Sequence, residues 1–216
     1  MPSNNLLRQQ YLQTMGVQIW QERATDIDVQ QAPLVLESMD LDQLNSMVAD
    51  CRRCEAYVNG STRSFSMGRP KARPWVLITD KPVQHSTAST QLLADILSAV
   101  EQKLESSYLT SSIKCVDISR SATLNECMAC QPYLLRQIEL LQPSMILVLG
   151  ELAAQSLLST DKRLKQLRGK DQSHVLHVLD TAIPVVVTHH PDDTLKDPQL
   201  KRLVWEDVQL AKAGAL

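Results

Sequence analysis

Two hydrophobic periods alternate along the chain from residue 41 to the C-terminus. Leu41, Leu44, Met47 and Val48 recur at helical spacing and lead to Cys51. Trp75-Val76-Leu77-Ile78-Thr79, behind Pro74, is a short unbroken apolar run, the mark of a strand covered on both faces. Gln91 to Lys103 returns to helical spacing, with Leu92, Leu93, Ile96, Leu97 and Val100 on one side. Tyr108 to Cys115 reads as a strand, and Glu126 to Leu141 as a helix ended by Pro143. Met145-Ile146-Leu147-Val148-Leu149 is a second buried strand, closed by Gly150. Glu151 to Leu158 reads as a helix, Pro184 to Thr188 as a strand and Pro198 to Lys212 as a final helix. Strands alternating with helices predict an α/β fold, a three-layer α/β/α arrangement around a central, mainly parallel sheet.

The first 31 residues carry no core pattern and are rich in glutamine. Within them Leu7, Tyr11, Leu12 and Met15 share one helical face, and Gly16 can end that helix. Val17, Ile19 and Trp20 follow with extended alternation. A helix this short is marginal alone, so the segment either packs on its own domain or orders on a partner. The expected organisation is a flexible N-terminal partner-binding peptide and linker over 1–31 and a globular domain over 32–216.

Composition is that of an ordinary globular protein: 216 residues, 44% hydrophobic and 21% charged. No run of 18 apolar residues is present, and no basic start precedes an apolar stretch, so neither a membrane span nor a secretory signal is expected. The expected location is the cytoplasm. Net charge is −2, whereas a protein that tracks DNA phosphates usually carries a basic surplus or stripe. The cluster Arg63, Arg69, Lys71 and Arg73 reads as a solvated loop.

Five cysteines stand in a suggestive order: Cys51 and Cys54 as C-x2-C, Cys115 alone, then Cys127 and Cys130 as a second C-x2-C. In a reducing compartment they are metal ligands or buried thiols rather than disulfides. Spacing alone leaves zinc, a [4Fe–4S] cluster and a set of small buried side chains all open.

Several motifs extend that order. Lys114-Cys115, Cys130-Gln131-Pro132-Tyr133-Leu134, Leu149-Gly150-Glu151-Leu152-Ala153-Ala154, Leu167-Arg168-Gly169, His190-Pro191 and Lys201 to Asp207 follow Cys51-x2-Cys54 in sequence. Together they resemble the family 4 (iron–sulfur) uracil-DNA glycosylases, from Cys51 to about Val208. The resemblance implies a uracil-DNA glycosylase-like body and a structural [4Fe–4S] cluster held by Cys51, Cys54, Cys115 and Cys130, with Cys127 outside the set.

Against that family's chemistry the chain departs at three places. The Gly-Glu-x-Pro-Gly loop reads Thr79-Asp80-Lys81-Pro82-Val83, the aromatic segment that stacks uracil is absent from Val83 to Thr87, and the base-reading Asn is Ser111. Ser offers a single hydroxyl where an amide offers a donor and an acceptor. Only His189-His190-Pro191 survives, followed by Asp192 and Asp193. The expectation is no catalytic residue, Asp80 and His190 being vestiges.

Residues 9–25 resemble the N-terminal segment of the psi-subunit family of bacterial DNA polymerase III, whose Leu-x-x-Leu-Gly-Ile-x-x-Trp pattern is carried here by Leu12, Met15, Gly16, Val17 and Trp20. That resemblance implies a non-catalytic accessory subunit in DNA replication. Tyr11, Leu12, Met15, Gly16, Val17, Ile19 and Trp20 would dock on the gamma/tau clamp-loader subunits. The body would bind the chi subunit, and through it single-stranded DNA-binding protein, with direct DNA contact weak or absent. The alternative is a divergent family 4-like glycosylase in base excision repair.

Overall fold

The two unbroken apolar runs form the middle of the sheet, and the other elements follow from where they lie. In chain order the helices and strands are α1 (Leu41–Ala49), β1 (Thr62–Arg63), β2 (Trp75–Thr79), α2 (Ala88–Ser98), β3 (Tyr108–Ser111), β4 (Cys115–Val116), α3 (Leu124–Leu141), β5 (Met145–Leu149), α4 (Glu151–Leu158), α5 (Leu164–Leu167), β6 (His174–Val178), β7 (Thr181–Thr188), α6 (Pro191–Lys196) and α7 (Leu200–Gly214). This computed structural model describes residues 36–57, 62–68, 72–82, 87–116, 121–169, 172 and 174–214, all within one unit, Pro33–Leu216. The peptide positions from Tyr11 to Trp20 and the loop positions Val83 to Ser86 lie outside the described residues.

The main sheet has the order β3-β2-β5-β7-β6. Its first four strands are mutually parallel, and β6 closes one edge antiparallel to β7. Pleating sends alternate residues to opposite faces. Val76, Ile78, Ile146, Val148, Val185 and Val187 face one layer, packed with Leu134, Ile138, Ala153, Ala154 and Leu157 of α3 and α4. Trp75, Leu77, Met145, Leu147 and Leu149 face the other, packed with Leu93, Leu97, Val204, Val208 and Ala211 of α2 and α7. Both faces are covered, so the central strands carry no polar alternation, and the three-layer α/β/α expectation holds.

Element ends follow local chemistry. Helix α2 starts at Ala88, ahead of the expected Gln91, because the Thr87 hydroxyl accepts the Thr90 N–H as an N-cap. It stops at Ser98, short of Lys103, and Glu101 beyond it has a left-handed φ of 63°. A capping box between Thr123 and Glu126 opens α3, and left-handed Gln142 closes it ahead of Pro143.

The stretch Tyr108 to Cys115 is not one strand. Ser112 N–H turns to the carbonyl of Thr79 (2.8 Å), and β4 leaves to pair with β1 in a separate antiparallel ribbon. Strand β6 was not evident in the pattern: Val175 and His177 point to solvent, none of its residues is buried, and the hairpin turns through Leu179 at φ 51°.

Candidate functional site

The C-terminal ends of four parallel strands meet along one edge of the sheet. From β2 the chain crosses to β3 on one side and, later, to β5 on the other. That reversal is a topological switch point, and open α/β sheets usually bind their ligands above the strand ends at such a point. Asp80 follows β2, Ser111 ends β3, Gly150 follows β5, and His189 and His190 follow β7. Gly150 N–H donates to the carbonyl of Thr188 (3.0 Å), tying two of these ends together.

Asp80 reaches across to α4. Its Oδ1 accepts the N–H of Ala153 at 2.7 Å, the third residue of that helix. Gly150 is the N-cap of α4 and has no side chain to offer, so the neighbouring strand supplies the capping carboxylate. Burial, with Asp193 and Glu151 nearby, pushes the Asp80 carboxyl up to about 6 against the pull of the Ala153 N–H and of Lys81.

His190 is buried, 7% exposed, just ahead of Pro191 at the start of α6. Its Nδ1 accepts the N–H of Asp192 at 3.1 Å, so the ring proton belongs on Nε2. Nε2 is buried and has no hydrogen-bond partner among the described residues. Burial holds the imidazole below its ordinary 6.5 against the opposite pull of Asp192 and Asp193, which keeps it neutral at neutral pH. A buried N–H left without a partner costs about 1–3 kcal/mol. Lys81 and Asp193 act on both His190 and Asp80, which places the two side chains in one electrostatic neighbourhood.

A buried ion pair supports the β7 end. Arg168 grips Asp207 of α7 with Nε at 2.9 Å and a second nitrogen at 3.0 Å, and the Thr188 hydroxyl donates to the same carboxylate at 2.7 Å. Asp207 is fully enclosed. Ser111, by contrast, turns away: its hydroxyl donates to the carbonyl of Ile113 at 2.6 Å. Phe65 packs with Leu36, Leu44, Val48 and Tyr133, beside β3, where its carbonyl accepts the Thr110 hydroxyl at 2.9 Å.

The cysteines gather beside the β3 edge. The thiol of Cys54 lies against those of Cys115 and Cys130, and the Tyr133 hydroxyl reaches the sulfur of Cys51 at 3.5 Å. All five cysteines are free thiols. Among the described residues no three His, Cys, Asp or Glu side chains are arranged as a metal-ion site. Cys127 is fully buried and pushed up to about 11, chiefly by burial, with the Ser112 hydroxyl 3.5 Å from its sulfur.

Lys114 had no distinguishing mark in the sequence beyond preceding Cys115. It is buried among polar partners, its Nζ 2.7 Å from each of Thr110 Oγ1, Ser111 O and Gln137 Oε1. Burial pushes its ammonium down to about 7, and Cys130 pulls in the other direction.

Comparison with known proteins agrees with this architecture. Residues 63–209 match the model of the uracil DNA glycosylase superfamily. A type-4 uracil-DNA glycosylase of Pyrobaculum aerophilum is 25% identical over 190 residues, 82% of this chain and 96% of its own. The protein of the same name from Archaeoglobus fulgidus is 26% identical over 187 residues, 82% and 92% of the two chains. That of Thermotoga maritima is 29% identical over 185 residues, 80% and 93%.

These relatives overturn the expectation of a non-catalytic psi-like replication subunit, together with its gamma/tau, chi and single-stranded DNA-binding protein partners and its weak or absent DNA contact. The peptide that suggested those partners, Tyr11 to Trp20, lies outside the described residues and outside residues 63–209, which the superfamily model matches. The expectation of no catalytic function fails for a physical reason. Thr79, Val83 and Ser111 depart from the family's motif, while the fold still holds a half-buried carboxyl after β2 and, after β7, a buried N–H without a partner among the described residues.

Proposed function

We propose a base-excising role in DNA repair for this chain, which belongs to the uracil DNA glycosylase superfamily. It removes uracil or a closely related base from DNA. The observation that carries this reading is the Nε2–H of His190, buried, neutral and without a hydrogen-bond partner among the described residues, just after the C-terminal end of β7.

Breaking the bond between a flipped base and its sugar sends the bonding electrons onto the base. Charge develops on a ring carbonyl oxygen, and a preorganised donor stabilises it. A neutral imidazole fixed by Asp192 N–H meets that need without first losing a proton. Asp80, ionised above about pH 6, is the acceptor available to orient the attacking water toward the sugar carbon. Arg168, Asp207 and Thr188 hold the β7 end so that His190 keeps its aim.

Cys51, Cys54, Cys115 and Cys130 are the residues that would hold a [4Fe–4S] cluster. The donor chemistry supports this: the sulfur of Cys54 lies against those of Cys115 and Cys130, the Tyr133 hydroxyl reaches Cys51, and a buried ammonium lies in electrostatic reach of Cys130. When bound, the cluster supplies a cross-link between the segment after α1, β4 and α3. Free thiols in such a set suit the reducing cytoplasm.

The test is an excision assay on uracil-containing single- and double-stranded oligonucleotides with anaerobically purified protein. Product that disappears in His190→Ala supports the reading; no product from an iron-loaded wild type rejects it. Brown protein with broad absorbance near ~400 nm supports the cluster, and colourless protein with stoichiometric zinc rejects it.

A further inference from the structure

Lys114 is 1% exposed, and its ammonium has only neutral acceptors: the Thr110 hydroxyl, the Ser111 carbonyl and the Gln137 amide oxygen, each at 2.7 Å. The Phe65 ring beneath it, 5.9 Å away, is neutral as well. Among the described residues no carboxylate pairs with it. An ammonium taken out of water without an anion is expensive, and proteins avoid it unless a counter-charge is close.

The nearby group able to supply that charge is sulfur. The backbone N–H of Lys114 donates to the sulfur of Cys130, the ammonium lies within electrostatic reach of that sulfur, and Cys54 packs against it. Four thiolates around a dicationic iron–sulfur core leave a net negative charge, which matches a buried cation at this place. The same ammonium holds the carbonyl of Ser111, the last residue of β3, at the end of the sheet that carries the candidate site.

From this geometry we infer that Lys114 is the counter-charge of the thiolate site and a positioning residue that couples that site to the C-terminal end of β3. The inference rests on the iron–sulfur reading above and deepens it. A reduced cluster is more negative than an oxidised one, so a cation beside it favours reduction. Removing the cation lowers the reduction potential. It also frees the Ser111 carbonyl, which loosens substrate binding more than the chemical step.

Full-length wild type, Lys114→Met and Lys114→Arg are purified anaerobically. Iron and sulfide content, cluster potential, kcat and KM on a uracil-containing single strand are measured. The expected result is a more negative potential and a KM raised several-fold at little-changed kcat in Lys114→Met, with Lys114→Arg restoring the potential toward wild type. An unmoved potential or an unmoved KM in iron-loaded Lys114→Met overturns the inference while leaving the glycosylase reading intact. Should Lys114→Met fail to fold or load iron, loading by Lys114→Arg supports the need for charge, and equal failure of both overturns it. A wild type without iron sinks the cluster reading and this inference with it.

Discussion

A methyl group built on Gly150 would stand 2.4 Å from Oδ2 of Asp80, so the glycine and the carboxyl fit only as a pair. The glycine also has a φ of 118°, a conformation that side chains disfavour. Gly150→Ala therefore has to displace Asp80 from Ala153 N–H as well as strain the backbone. The expected loss is about 2 kcal/mol or more in thermal or denaturant unfolding. Excision falls further than stability does, because the displaced carboxyl is the one placed to hold water.

Asp80 makes stability depend on pH in a defined direction. Its carboxyl is raised from 3.8 to about 6, so the folded state binds the proton more tightly than the unfolded chain does. The stabilisation from this group is complete below about pH 3.8 and is lost as pH rises through about 6. Asp80→Asn removes that dependence and can still accept Ala153 N–H. Near neutral pH it should be more stable than wild type by about 1–3 kcal/mol. Its excision rate should nevertheless fall, and the acid limb of the wild-type rate profile, centred near pH 6, should vanish. Equal stability of the two proteins at pH 7.5 would falsify the linkage.

His190 acts as a neutral donor, so its removal should strike the chemical step. Single-turnover excision by His190→Ala is expected to slow by about 10²–10³-fold, the usual cost of losing one donor to a developing anion. Because burial holds the imidazole below its ordinary 6.5, the wild-type rate should show no inflection from this ring above that pH. A titration of the ring by NMR that placed it above 6.5 would contradict the assignment.

The pair Arg168–Asp207 is fully formed and nearly dry. Asp207→Asn leaves a buried guanidinium without its anion and takes a strong acceptor from Thr188. Breaking a buried pair from one side costs about 3–5 kcal/mol. The double variant Arg168→Met with Asp207→Leu should recover a large part of that loss in a melting experiment. If the single variant melts with the wild type, the pair does not support the β7 end.

Cysteine replacement separates ligand from neighbour. Cys130→Ala is expected to lose iron on anaerobic purification, whereas Cys127→Ala, whose thiol bonds Ser112 and lies outside the proposed set, should keep it. Iron analysis decides the matter, and iron loss from Cys127→Ala would move Cys127 into the ligand set.

The buried strands Trp75–Thr79 and Met145–Leu149 were legible with their bounds, because an unbroken apolar run between turn residues has few other homes. Helix Glu151–Leu158 was equally plain. Strand His174–Val178 was not, since an exposed edge strand leaves only a weak alternating pattern. Asp80 and His190 could be named from motif position, but whether they still work could not. Asp80 finds its partner 73 residues away, and the readiness of His190 depends on an Nε2 left without a partner among the described residues, which no linear pattern records.

By itself the sequence determined the layers, the two central strands with the main helices that cover them, and the cysteine pattern, because these depend on periodicity and spacing along one chain. Only the tertiary structure decided that a carboxyl and an imidazole at separate strand ends share one neighbourhood, and that Lys114 is enclosed beside sulfur. Burial and long-range contact set the protonation state of each group, and both arise only when distant segments are brought together.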